Sequence, residues 1–151
     1  MPKKATAQDA NLILKLYDLR REAEMRKARN WFILEFTANS AEDVINVMKA
    51  FGSDGNRYFR MVTSYWEMAA AMVNHGAINQ SLFEDCNGEP FLTYAKVAPF
   101  IADLRKAFES PEMLVNLEKM TKATDKGRKR LKLMAKRLEQ FRQMKAAAGK
   151  S

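Results

Sequence analysis

One cysteine and one histidine in 151 residues leave little from which to build metal or covalent chemistry. Cys86 alone excludes an internal disulfide framework, as a reducing cytoplasm would favour. His75 and Cys86 stand eleven positions apart across a turn, too poor a donor set for a zinc site. A di-iron carboxylate bundle would place Glu three residues before a His, and position 72 is Met. Long apolar runs are also missing. The longest uncharged stretch, Met68 to Phe83, is interrupted by Asn74, His75, Gly76, Asn79 and Gln80 and falls short of the roughly 20 residues a membrane helix needs. Residues 1–9 hold two lysines with no apolar signal core after them. Val and Ile are scattered singly, so no alternating strand emerges. These absences lead to a single cytoplasmic all-α domain over 1–151, with no membrane span, no metal and no cofactor, and with a non-catalytic role.

What is present is helical periodicity. Leu12, Leu16, Leu19 and Ala23, extended by Trp31 and Phe32, predict a long first helix over about 7–36, its start marked by Thr6 and Asp9. Ser40 and Asp43 resemble a capping box before a short helix carrying Val44, Val47, Met48 and Phe51, closed by Gly52. Phe59, Val62, Tyr65, Trp66, Ala69, Met72 and Val73 give the bulkiest apolar face, on a central helix that Gly76 stops. Asn79 caps a short helix through Cys86, Asn87-Gly88 turns the chain, and Pro90 suits a first helical position. Pro99 should bend the next helix near 96–98. Ser110-Pro111-Glu112 reads as the start of a last helix over about 111–147. The architecture expected is a bundle of five or six helices, with a compact middle over about 37–111 and long terminal helices forming an extension.

Charge is distributed unevenly. Residues 122–151 carry eleven Lys and Arg against Asp125 and Glu139, which is +9, so a chain of net charge +8 has a body of −1. Such a cationic segment attracts acidic partners at long range. Lys122, Lys126, Arg128, Lys129, Arg130, Lys132, Lys136 and Arg137 are the candidate partner-binding residues, spread around the helix outside its apolar seam. That seam is Leu117, Met120, Leu131, Met134, Leu138 and Phe141, at three-four spacing with Gly127 as its weak point. A straight helix this long would reach about 50 Å, so its seam should pair with the first helix or with a second copy of the chain.

Other constellations are weak. Gly52-Ser53-Asp54-Gly55-Asn56 lacks the strand and the Gly-Lys-Ser/Thr ending of a phosphate loop and reads as a connector. Glu84, Asp85 and Glu89 read as solvated surface, and Cys86 as a small buried hydrophobe. Glu67, beside Trp66 on an apolar face, needs a partner if drawn inside, and Arg105 is the candidate for a structural ion pair.

Tyr58-Phe59, Tyr65-Trp66-Glu67-Met68-Ala69, Asn74-His75-Gly76-Ala77-Ile78-Asn79, Leu82-Phe83 and Pro99-Phe100-Ile101 with Arg105 together resemble an uncharacterised family of small bacterial all-helical domains, over roughly 31–117. The resemblance implies an aromatic-Glu helix ending in a Gly turn and a later helix bearing Pro and Arg. Its members often follow a membrane helix, a segment not expected here, and it brings no reaction. The function expected is therefore an interaction or regulatory module, self-associating or bound to a partner protein through its basic C-terminal helix. The alternative is sequence-nonspecific binding of nucleic acid by that helix.

Overall fold

The computed structural model describes residues 3–150, which contain nine α-helices and no strand. Helix α1 (Ala7–Leu19) begins where Thr6 and Asp9 exchange hydrogen bonds: the Asp9 N–H donates to the Thr6 hydroxyl, and the Thr6 N–H to the Asp9 carboxylate. These bonds hold the Asp9 carboxyl below its usual range. Asp9 also accepts the Asn79 N–H at 2.8 Å, which ties the start of α1 to the cap of α5 (Gln80–Cys86).

The long first helix of the sequence expectation divides. Residues 20–22 form a turn before α2 (Ala23–Asn30), and a π-helical turn spans Trp31–Glu35. Neither Pro nor Gly marks the break. Instead the Glu22 carboxylate accepts the N–H groups of Glu24 and Met25, both at 3.0 Å, a cap from a residue outside the preferred cap set.

Helix α3 (Ala41–Lys49) starts at the expected Ser40 cap but stops two residues before Phe51, which lies outside it and is 79% exposed. The amide of Asn56 donates to the carbonyls of Val47 and Met48 at 3.1 and 2.9 Å, closing α3 from the first turn of α4 (Asp54–Asn74). Gly76 ends α4 with φ of 80°, a conformation that glycine adopts without strain. Helix α6 (Glu89–Val97) carries Pro90 in its first turn, and Pro99 forces a 3₁₀ turn before α7 (Ile101–Ala107).

The last expected helix also divides. Ser110-Pro111-Glu112 opens a turn, not a helix. Helix α8 (Val115–Lys122) begins only after Leu114, whose φ is 54°. Thr124 then caps α9 (Asp125–Ala148) by accepting the Gly127 N–H at 2.9 Å.

Helix α4 is the hub, packed by α2, α3, α5, α6 and α8. Trp66, Phe32, Phe83, Phe91, Tyr94, Leu117 and Met120 are fully buried around it. The terminal helices do not pair as two rods: α1 packs on α5, and α9 on α6 and α8. Helix α9 keeps contact with the body as far as Lys145, whose ammonium donates to the Leu34 carbonyl and the Thr37 hydroxyl, both at 3.3 Å. No helix among the described residues is long and apolar enough to cross a membrane.

Candidate functional site

Glu67 and Arg105, expected to pair, have separate tasks. One Glu67 oxygen accepts the Asn116 N–H at 2.9 Å and the other accepts the Leu117 N–H at 2.8 Å, while the Asn116 amide adds a third bond at 3.1 Å. A carboxylate from α4 thus caps α8 in place of a local residue, satisfying N–H groups that the left-handed Leu114 cannot. Arg105 donates to the Met113 carbonyl at 3.0 Å and pairs with Glu118 at 3.3 Å. Tyr94 and Lys122 also converge on Glu118, and the Tyr94 hydroxyl leads in holding that carboxyl below its usual range.

The acidic residues read as solvated surface are largely structural. Glu84 is buried and accepts from Gln80 at 2.6 Å and from Thr124 at 2.8 Å. Glu89 accepts from Arg29 through Nε, at 2.9 and 3.0 Å to its two oxygens, and through Nη2 at 2.7 Å, and it also accepts the Trp66 indole N–H at 3.3 Å. Cys86 is exposed, not buried, because it sits on the outer side of the last turn of α5.

Lys96 was not singled out from the sequence. Its ammonium is buried under the π-helical turn and donates to the carbonyls of Phe32, Ile33 and Phe36, the last two at 3.1 and 2.7 Å. A cation suits this negative helix end, and the Phe32 and Phe36 rings lie 5.4 and 5.7 Å from it. Burial, then Lys145 and Arg142, pull its pKa down to about 8. Between pH 8 and 10.5 the unfolded chain therefore binds more protons than the folded one, and stability rises with pH across that window. Lys96→Met should lose about 1–2 kcal/mol at pH 7 through the orphaned carbonyls. In urea unfolding, the gap to wild type should widen from pH 8 to 9.5; a narrowing gap would reverse the assignment.

The eight basic candidates fall into two sets. Lys122 pairs with Glu118, Lys126 with Asp85 and Arg128 with Asp125. Arg130 donates to the carbonyls of Glu84 and Asn87 at 2.7 and 3.2 Å and lies 4.7 Å over the Phe91 ring. Lys126 and Arg130 fasten the first turns of α9 to the end of α5, while the Lys122 and Arg128 ion pairs lie within α8 and α9. Lys129, Lys132, Lys136 and Arg137 have no ion-pair partner among the described residues and are exposed. Their spacing is i, i+3, i+7 and i+8, so they share one face of α9. Leu133 and Met144, 44% and 70% exposed, stand on that same face.

The opposite face is the expected seam, and the chain covers it without a second copy. Leu117 and Met120 are in the core; Leu131 and Met134 pack on it half-buried, Leu138 is half-buried beside Phe36, and Phe141 lies at the margin. Gly127 is no weak point, since its closeness lets α9 seat against α8.

The helices from α1 through α8 coincide with a recognised unit. A family model described as a domain of unknown function, DUF4760, matches residues 5–124. The chain belongs to the DUF4760 family. The DUF4760 span extends the resemblance read over 31–117 on both sides and ends at Thr124, the cap of α9, so the basic helix lies beyond it. No curated protein and no solved structure matches the chain.

Proposed function

We propose that the protein is a non-catalytic, cytoplasmic docking module that holds an acidic partner protein on the outer face of α9. The observation that carries this is the set Lys129, Lys132, Lys136 and Arg137, four cations on one helix face with no ion-pair partner among the described residues, when Lys126 and Arg130 are engaged by the body and Arg128 by Asp125 of its own helix. Leu133 and Met144 among them give that face the apolar content that a protein surface complements. The exposed single Cys86 suits a reducing compartment.

The test is a salt series with two probes: an acidic amphipathic peptide, and duplex DNA beside single-stranded RNA. The peptide should bind, weaken with salt, and lose at least tenfold in affinity when the four cations are changed to Glu. Leu133→Ser should weaken it further without altering the far-ultraviolet spectrum. Tighter binding to DNA or RNA, unaffected by Leu133→Ser and with a log–log salt slope of about −3 to −4, would replace this function with nonspecific nucleic-acid binding.

A further inference from the structure

Far from α9, the loop after α3, the middle of α4, α7 and the turn between α7 and α8 enclose a cleft of about 280 Å³. Its walls are apolar: Met48, Phe51, Phe59, Leu104, Phe108 and Met113. Phe51 stands at the mouth, 79% exposed, forgoing the roughly 1.5–3 kcal/mol that burying such a side chain gives. Among the described residues two non-glycines have left-handed backbone, Glu109 at φ 50° and Leu114 at φ 54°; they bracket the turn that supplies Met113, and Phe108 directly precedes it. Backbone strain of this kind concentrates where a ligand is clamped.

The rim carries charge of one sign. Arg60 lines both this cleft and the polar groove beside it, and its guanidinium has no ion-pair partner among the described residues. Arg57, three residues earlier, is engaged by Asp54 at 3.2 Å and Glu24 at 3.7 Å. Glu67, which also lines the groove, turns its oxygens to the N–H groups of Asn116 and Leu117. Thr63 turns its hydroxyl to the Phe59 carbonyl at 2.8 Å. Arg60 is thus the polar group left to receive an anion at the mouth.

We propose that this cleft binds a single-chain carboxylic acid of medium length, its alkyl tail among the aromatic and methionine walls and its carboxylate on Arg60. The size of the cleft, about 280 Å³, and its apolar walls suit an alkyl chain. Charge selects an anionic head group, and a guanidinium matches a carboxylate in a two-pronged geometry.

Calorimetric titration of the full chain with decanoate, below its micellar concentration, tests the assignment. Decanoate should bind saturably at one site. Decanol, with the same tail and no charge, and butyrate, with the same head and no tail, should each bind at least tenfold more weakly. Arg60→Ala, at an exposed position with no structural bond from its side chain, should fold normally, lose about tenfold for decanoate and leave decanol unchanged. Phe51→Ser should weaken both long-chain probes. Absence of saturable decanoate binding, or equal binding by wild type and Arg60→Ala, would overturn the proposal. So would a concentration-dependent mass in light scattering that Phe51→Ser reduces to that of one chain, since the mouth would then be an interface between copies. The variants on α9 leave these readouts untouched, so failure here is separate from failure of the docking function.

Discussion

Glu89→Ala should lower the unfolding free energy by about 3–5 kcal/mol, measured by urea denaturation followed by circular dichroism. The carboxylate is only 14% exposed and receives Arg29 and the Trp66 indole; its removal leaves the fully buried ring nitrogen without an acceptor and the Arg29 guanidinium with the Arg20 carbonyl alone. The bond to Glu89 also holds the Arg29 guanidinium above its ordinary range. Changing both residues to Leu should recover a large part of the loss, because an apolar pair has no unpaired charge to hide. A loss below 1 kcal/mol for the single variant would mean that water replaces Glu89 at no cost. The pair joins α2 to α6 across sixty residues and fixes how the indole of α4 sits between them.

Gly127→Ala should destabilise by about 2–3 kcal/mol, although alanine is favoured over glycine within a helix by about 1 kcal/mol. A Cβ here would fall 2.5 Å from the Thr121 carbonyl oxygen, 3.2 Å from the Thr124 hydroxyl and 3.4 Å from the Phe91 ring. The nearest of these is backbone at the end of α8 and cannot swing away as a side chain would. Helix α9 would have to lift, loosening the bonds from Arg130 to the end of α5. An increase in stability, as propensity alone dictates, would show that the helices do not approach this closely.

The helices that follow from the sequence are those whose caps are local. Thr6, Ser40 and Asn79 each accept an N–H three residues on, and Gly76 and Pro99 stop or bend the chain by their own geometry; Ser53 does the same for α4, in a stretch that reads as a connector from its glycines. The breaks at Glu22 and Thr124 are capped locally yet lie inside continuous apolar periodicity, and the other departures depend on distant partners. The start of α8 is set by Glu67, forty-nine residues away, which outweighs the local Ser110-Pro111-Glu112 signal. The π-helical turn is closed by Lys96, sixty-four residues from Phe32. Glu67 and Arg105 drew notice as charges beside apolar residues, but a one-dimensional pattern cannot choose between a backbone N–H and a guanidinium as the partner. The same holds for α9, where helical spacing alone spread the cations around the rod. Only after Asp85, Glu118, Asp125 and two α5 carbonyls take their share does a single free face remain.

The clasp at the end of α5 also sets an order of events. The carbonyls of Glu84 and Asn87 receive Arg130, forty-six and forty-three residues further along the chain. On a ribosome that releases the N-terminal part first, those oxygens must stay with water until α9 has emerged. Docking of α9 is therefore a late step in biogenesis, and until it occurs the Phe91 ring lacks the guanidinium that Arg130 lays over it.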